Sequence, residues 1–413
     1  MTDKLDNTDP YASLKERDFR WFVLARFAQT FAIQMQSLIV GWQIYQETHD
    51  ALSLGLIGFC EAAPFLGIAL IAGHVADVVD RKKIILVTSV AYFVCAVSLL
   101  LVSTEFHSVL SRYGVFPIYI IIFVVGLTRG FMSPAQAAFS SQLVPRALYG
   151  NASTWGTVSW QISEIVGPAA GGLVYGLSGI GPAYGSVVFL SALGFVLFAA
   201  VRNKPMPARR DDETMVESLS AGIRFVFQNR VLLSAVSLDM FAVFFGGAYA
   251  VLPIFADRVL HVGAKGLGLL RGAPAVGAII MSIVMANFPM FKNAGRNLLV
   301  CVFGFGVTVI AFAVSGNFYL SLALLLASGM FDNVSVIIRS TILQLLSPDE
   351  MRGRVSAVNG IFTGTSDGLG SFESGVAAKL LGLIPSVIFG GSMTIATVVT
   401  IREVSPGLRK LTL

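Results

Sequence analysis

Nine ionisable residues stand inside long apolar runs of this chain: Arg26, Glu61, Arg129, Glu164, Asp239, Arg271, Asp332, Arg339 and Asp367. Charge at hydrocarbon depth is costly, so each such residue is a candidate for function. Arginine effectively never loses its proton in proteins, so its chemistry is electrostatic. Arg129 is expected to bias the ionisation of a nearby carboxylate, Glu61 or Glu164, or to hold an anion; bonding only to backbone carbonyls is the rival reading. A buried carboxylate without a counter-ion is suited to load and release a proton. There are five such carboxylates and four arginines, so one carboxylate is left over if every arginine takes one. Asp239 is the first choice and Glu61 the second, because Asp239 has no arginine in its own run. Asp332 has Arg339 seven positions on, on the same helical face but about two turns away, so direct pairing is not expected. Asp332, Glu164 and Asp367 complete the proton-coupling candidates. The alternative is that these carboxylates only bond polar neighbours on adjacent helices.

Other chemistries lack their residues. His49, His74, His107 and His261 sit at run ends or in loops, with no metal-ligand spacing. Cys60, Cys95 and Cys301 all fall inside apolar runs and imply no disulfide framework. No nucleotide fingerprint is present, so ATP drive and cofactors are not expected. A membrane-embedded enzyme would need a nucleophile–base set at membrane depth, and no histidine lies there. Basic residues are spread over short loops and form no patch for nucleic acid.

The elements that must carry these charges follow from composition. The 413 residues are 55% hydrophobic and 13% charged, where a soluble domain carries about 25% charge. This is an all-α integral membrane protein, and no cleavable signal peptide is expected at its polar N-terminus. Spans are predicted at about 20–46, 52–79, 84–103, 115–140, 152–178, 183–201, 231–258, 264–288, 297–315, 317–346, 353–373 and 380–401. With twelve spans, 21 of the 29 Lys and Arg fall on the face that holds both termini. That face is cytoplasmic by the positive-inside bias. The buried charges avoid spans 3, 6, 9 and 12, as expected if those four face lipid while the other eight line a cavity. Span 1 adds Gln29, Gln36 and Gln43 on the Arg26 face, a stripe expected along water rather than lipid. Arg26, Gln29, Gln36, Arg129, Arg271, Arg339 and Glu373 are the candidates for lining a substrate cavity. Phe241, Phe244, Phe245, Tyr249, Met281 and Met285 suit either a bulky amphipathic molecule or helix packing.

The chain divides into halves over 1–201 and 231–413, joined by a cytoplasmic linker over 202–230. The second part of the linker alternates like an amphipathic helix, with Leu219, Ile223 and Val226/Phe227 on one side. "LVPRALYGNAS" (Leu143–Ser153) and "LSPDEMRGRVS" (Leu346–Ser356) share Leu, Pro, Gly and Ser in one frame at an offset of 203. Paired six-span repeats are a transporter architecture.

Three stretches name a resemblance. "GHVADVVDRKK" follows span 2, with Gly73, Asp77, Arg81 and Lys82 at the signature spacing of the major facilitator superfamily; Val78 replaces a basic residue and Asp80 a glycine. "VGLTRGFMSPAQ" places Arg129 in span 4 as that family does. "EIVGPAAGG" resembles its exporter motif, with Gly167, Pro168, Gly171 and Gly172 as a kinked, close-packed hinge. The chain is similar to the branch containing bacterial enterobactin-type siderophore exporters and macrolide efflux pumps. The resemblance implies a proton-coupled exporter of a small molecule, monomeric, in a bacterial inner membrane. It also implies that Asp77 and Arg81 hold the cytoplasmic side shut. An uptake symporter or a lipid-moving flippase on the same fold is the alternative.

Overall fold

Lipid offers the backbone no hydrogen-bond partners, so a chain this apolar satisfies its amides along its own helices. The computed structural model describes residues 9–204, 215–246, 248–288 and 292–411, and among them helix is the regular structure throughout. The first six long helices are α1 (Arg17–Thr48), α2 (Ala51–Val78), α3 (Arg81–Thr104), α4 (Phe116–Ser140), α5 (Tyr149–Ser178) and α6 (Ile180–Ala200). A shorter α7 (Met215–Gln228) precedes α8 (Arg230–Phe245), α9 (Gly263–Asn287), α10 (Ala294–Ala313), α11 (Phe318–Leu346), α12 (Asp349–Leu381) and α13 (Leu383–Val404). Among the described residues, nine segments are long and apolar enough to cross a membrane. Helices α1, α5 and α12 are not among them, since glutamines, serines and glycines dilute their apolar runs.

Side chains at the helix ends account for several boundaries. Asp80 caps α3 by accepting from the Lys82 and Lys83 amides, and Asn229 caps α8 from Val231 and Leu232. Gly179 and Gly382 end α5 and α12 at φ of 85° and 91°, a left-handed conformation that favours glycine. They lie at the offset of the sequence repeat. Helix α8 stops at Phe245, and short turns lead on to a π-turn over Phe255–Val259.

Two compact units result: Met1–Val40 with Ala63–Asp212, and Gly41–Ala62 with Glu213–Leu413. In the first, α3 packs on α4 and α6, over a core in which the Phe22 ring meets Phe139 and Phe198 edge-on. In the second, α11 packs on α9 and α10, and α12 on α7 and α8. Gly277 and Gly329 bring α9 and α11 into backbone contact, at the carbonyls of Leu326 and Pro274. The hairpin 41–62 belongs to the second unit, where Gly55 meets α12 at Gly375. Helix α7 docks through Gly222 on the Arg354 backbone and buries Val226, while Ile223 and Phe227 stay exposed. The Leu219 side chain lies outside the described residues.

Candidate functional site

Within the first unit, α5 presents a stripe of small buried residues: Gly156, Ser159, Ser163, Gly167 and Gly171. This stripe lets α1 approach. A Cβ at Gly167 would stand 2.8 Å from Gln34 Cβ, and one at Gly171 would stand 3.1 Å from the Met35 carbonyl. The exporter-motif glycines are therefore contact points between two backbones, with Pro168 and Gly172 buried alongside, in a helix that runs unbroken through Pro168. Gly156 receives the Arg26 guanidinium, and Gly194 on α6 receives the Gln29 side chain.

These contacts correct the reading of span 1. Gln29 and Gln36 do not line water here; they are 1% and 3% exposed. The glycines opposite remove the side chains that would hold the helices apart, so at Gln29 the polar stripe packs flush against its neighbour. Helical periodicity does not tell what a polar stripe meets: here Arg26 meets α5 and Gln29 meets α6. Arg129 on α4 is exposed, and Arg129 and Glu164 each engage a neighbour.

The loop signature divides its work. Gly73 is buried, and the Asp77 side chain lies outside the described residues. Asp80, which departs from the family pattern, caps α3 and accepts from Asn203 Nδ2 at 2.8 Å. Lys82 Nζ donates to the carbonyls of Ala199 and Val201, at the end of α6. Arg81 Nε donates to the Ala76 carbonyl at 3.3 Å. Nearby, Asp18 takes Lys204 Nζ at 2.9 Å and the Arg202 amide at 3.3 Å. Burial pushes the Asp18 carboxyl up, but these two partners outweigh it and hold it below the ordinary carboxylate range. Sequence reasoning missed this pair, because its partners stand 184 positions or more apart in the chain.

In the second unit, Asp239 and Arg339 form an ion pair, each 4% exposed. This corrects the expectation that Asp239 is the unpaired carboxylate. The reason is tertiary: α8 packs on α11, so the arginine arrives from another helix. Glu61, Arg271 and Asp367 each engage a neighbour as well. Asp332, at the midpoint of α11, has no hydrogen bond or ion pair among the described residues, which makes it the carboxylate left over. Ser282 Oγ donates to the adjacent Asn333 at 3.0 Å. Glu373 lines an apolar cleft near the end of α12.

A further polar cluster was not foreseen. Tyr45 Oη donates to Asp257 Oδ2 at 2.8 Å and accepts from Arg258 Nε at 3.1 Å, while Arg258 also reaches the His49 carbonyl at 3.4 Å. The π-turn supplies Asp257 and Arg258 together, and such bulges are frequent at functional sites. The Asp257–Arg258 doublet in an otherwise apolar run is the one sequence signal for it.

Buried charges on close-packed helices are the equipment of a transport protein. A sequence model of the transmembrane secretion effector family matches residues 8–409. The chain belongs to this family. It is a major facilitator membrane transporter and not an enzyme. The enterobactin exporter EntS of Escherichia coli O1:K1 / APEC is 24% identical over 384 residues, which cover 90% of this chain and 88% of that one. A POT family transporter crystallised with 5-aminolevulinic acid superposes with a TM-score of 0.75 at 12% identity, over 96% of this chain and 97% of that chain. A bacterial homologue of the human lysosomal transporter Spinster, inward-facing and unoccupied, superposes with a TM-score of 0.69 at 14% identity, over 95% and 96%. This transporter thus shares its fold with proteins whose sequences have diverged almost completely.

Proposed function

We propose that this transporter exports a small amphipathic molecule, siderophore-like or drug-like, in exchange for protons by alternating access. The reading takes twelve spans, both termini in the cytoplasm, a bacterial inner membrane and a monomeric working unit. It takes 1–201 and 231–413 as the two six-span halves and 202–230 as their linker. Likeness to an exporter supports the direction. The observation that carries proton coupling is the buried Asp239–Arg339 pair. A proton delivered to the Asp239 carboxylate removes its charge and frees Arg339. The free guanidinium shares a face of α11 with Asp332, about 10 Å along the axis. Without the ion pair α11 is no longer tied to α8 at this point, and their release links protonation to the change of access. Glu61, Glu164 and Asp367 follow as further proton sites. Asp77 and Arg81 are assigned to closing the cytoplasmic side, and the Tyr45–Asp257–Arg258 cluster to closing the other.

The test uses purified protein in proteoliposomes under an imposed proton gradient. Asp239→Asn is expected to lose gradient-driven accumulation of substrate while keeping downhill exchange. Asp332→Asn is expected to slow turnover and to move its pH profile. Wild-type accumulation by the Asp239→Asn/Asp332→Asn protein would sink the coupling assignment.

A further inference from the structure

We infer that the cleft beside Glu373 binds a drug-sized amphiphilic amine, with the ammonium on the carboxylate and the apolar body among phenylalanines. The cleft has a volume of about 540 Å³, within the range of drug-sized sites, roughly 300–1,000 Å³. Its construction is specific. Gly370 on α12 lies against the backbone of Phe244, where an added Cβ would stand 2.6 Å from the carbonyl oxygen. Gly390 on α13 lies against the Phe245 carbonyl in the same way. Both helices are thus drawn onto the last turn of α8, and α8 ends as a regular helix at that point. The cleft lies beside that turn, lined by Phe244 of α8, by α12 and by Phe389 of α13.

Its walls are apolar and aromatic. Phe244, Phe372 and Phe389 line it, with Val376 and Leu380. The rings are held by neighbours: Phe372 against Phe59 at 5.3 Å, Phe389 edge-on to Phe245 at 6.3 Å, and Phe244 edge-on to Phe245 at 4.9 Å. Glu373 is the single ionisable residue of the lining. Its hydrogen-bond neighbour Ser374 is neutral, so it leaves the charge uncompensated. The nearest basic residue along α12, Lys379, stands on a different face and 3.5 Å from Asp50. A cation is therefore the complementary ligand: carboxylate and ammonium form a charge-assisted hydrogen bond, and phenyl faces attract cations further. Phe389 and Leu380 are 40% and 77% exposed, which gives a membrane-dissolved amphiphile a way in. The inference concerns binding alone, so it stands or falls apart from the proton-coupling assignment.

The experiment measures binding to the full-length protein in nanodiscs of phosphatidylcholine and phosphatidylglycerol, without any gradient. Propranolol serves as the amine and its N-acetylated, neutral form as the control. The amine should bind saturably, about tenfold or more tighter than the control, and Glu373→Gln should abolish that difference. Glu373→Asp, which keeps the charge, should retain it. A second measurement needs no variant. Carbodiimide labelling of Glu373, read by mass spectrometry, should be blocked by propranolol and unaffected by the acetylated form. Equal affinity for both forms, wild-type binding by Glu373→Gln, or labelling unchanged by the amine overturns the assignment. Complete displacement of propranolol by stoichiometric phosphatidylethanolamine also overturns it, by giving the site to a lipid headgroup.

Discussion

The stretch from α4 to α6 and the stretch from α11 to α13 are one design used twice, 203 residues apart, and they differ most in charge. Backbone contacts are retained. Gly167 touches α1, the first long helix of its half, and its counterpart Gly370 touches α8, the first long helix of the other. The glycines that end α5 and α12 match in position and in left-handed conformation. The polar positions diverge. Arg129 corresponds to Asp332, Glu164 to Asp367, and buried Gln136 to Arg339, whose partner is Asp239. The difference teaches where constraint lies. A glycine in close backbone contact is held where a Cβ would displace a helix, as at Gly167 and Gly370, although Gly171 has Ser374 as its counterpart. A side chain facing a cavity or another side chain is free to change sign once its surroundings change with it. One half therefore keeps a neutral glutamine where the other holds an ion pair.

The comparison can be broken at its most charged point first. Arg339→Ala leaves Asp239 buried without its counter-ion, and the loss is expected to be about 3–5 kcal/mol in denaturant or thermal unfolding of the detergent-solubilised protein. Gln136→Ala, at the matching position, should cost clearly less, because no charge is stranded. Equal losses at the two positions would mean that the ion pair adds nothing to its half.

Next come the matched glycines. Gly167→Leu and Gly370→Leu should each destabilise by ~1–3 kcal/mol, since both force a side chain into a facing backbone. Similar melting shifts for the two would sharpen the picture of a repeated packing rule. A neutral result at either position would show that the contact there gives way freely.

The smallest effect is expected at Asp18, which anchors the end of α6 through Lys204 and Arg202 in the first half. Its folded carboxyl lies below the ordinary 3.8. A lowered folded value gives stability that is fully present above 3.8 and is lost as pH falls through the folded value. Asp18→Asn should therefore lower the melting temperature slightly at neutral pH and leave it unchanged in strong acid. A loss that persists below the folded value would assign the effect to packing instead.

How much of this was legible beforehand depends on the range of the forces involved. The apolar runs, their approximate ends and the offset of 203 follow from residues close in sequence, because helix formation in lipid is decided turn by turn. The glycine motif of α5 was legible as a packing element for the same reason, since small residues four apart must share a face. The nine charged residues were equally plain as members of helices, but only Asp239 and Arg339 among them are buried, and Arg129 and Asp367 are exposed. The partners of the nine were not legible. Asp239 was expected alone because Arg339 lies on another helix, and no local pattern reports which helices touch. Gln29 and Gln36 were expected along water because a polar stripe looks the same whether it meets a cavity or a closely packed helix. The Tyr45–Asp257–Arg258 cluster joins positions more than 200 residues apart. The sequence by itself thus determined which residues are helical and which helices carry charge, through propensity, hydropathy and spacing. Only the tertiary structure decided which charge neutralises which and which carboxylate is left over, because those energies fall off within a few ångströms and depend on helices meeting across the fold.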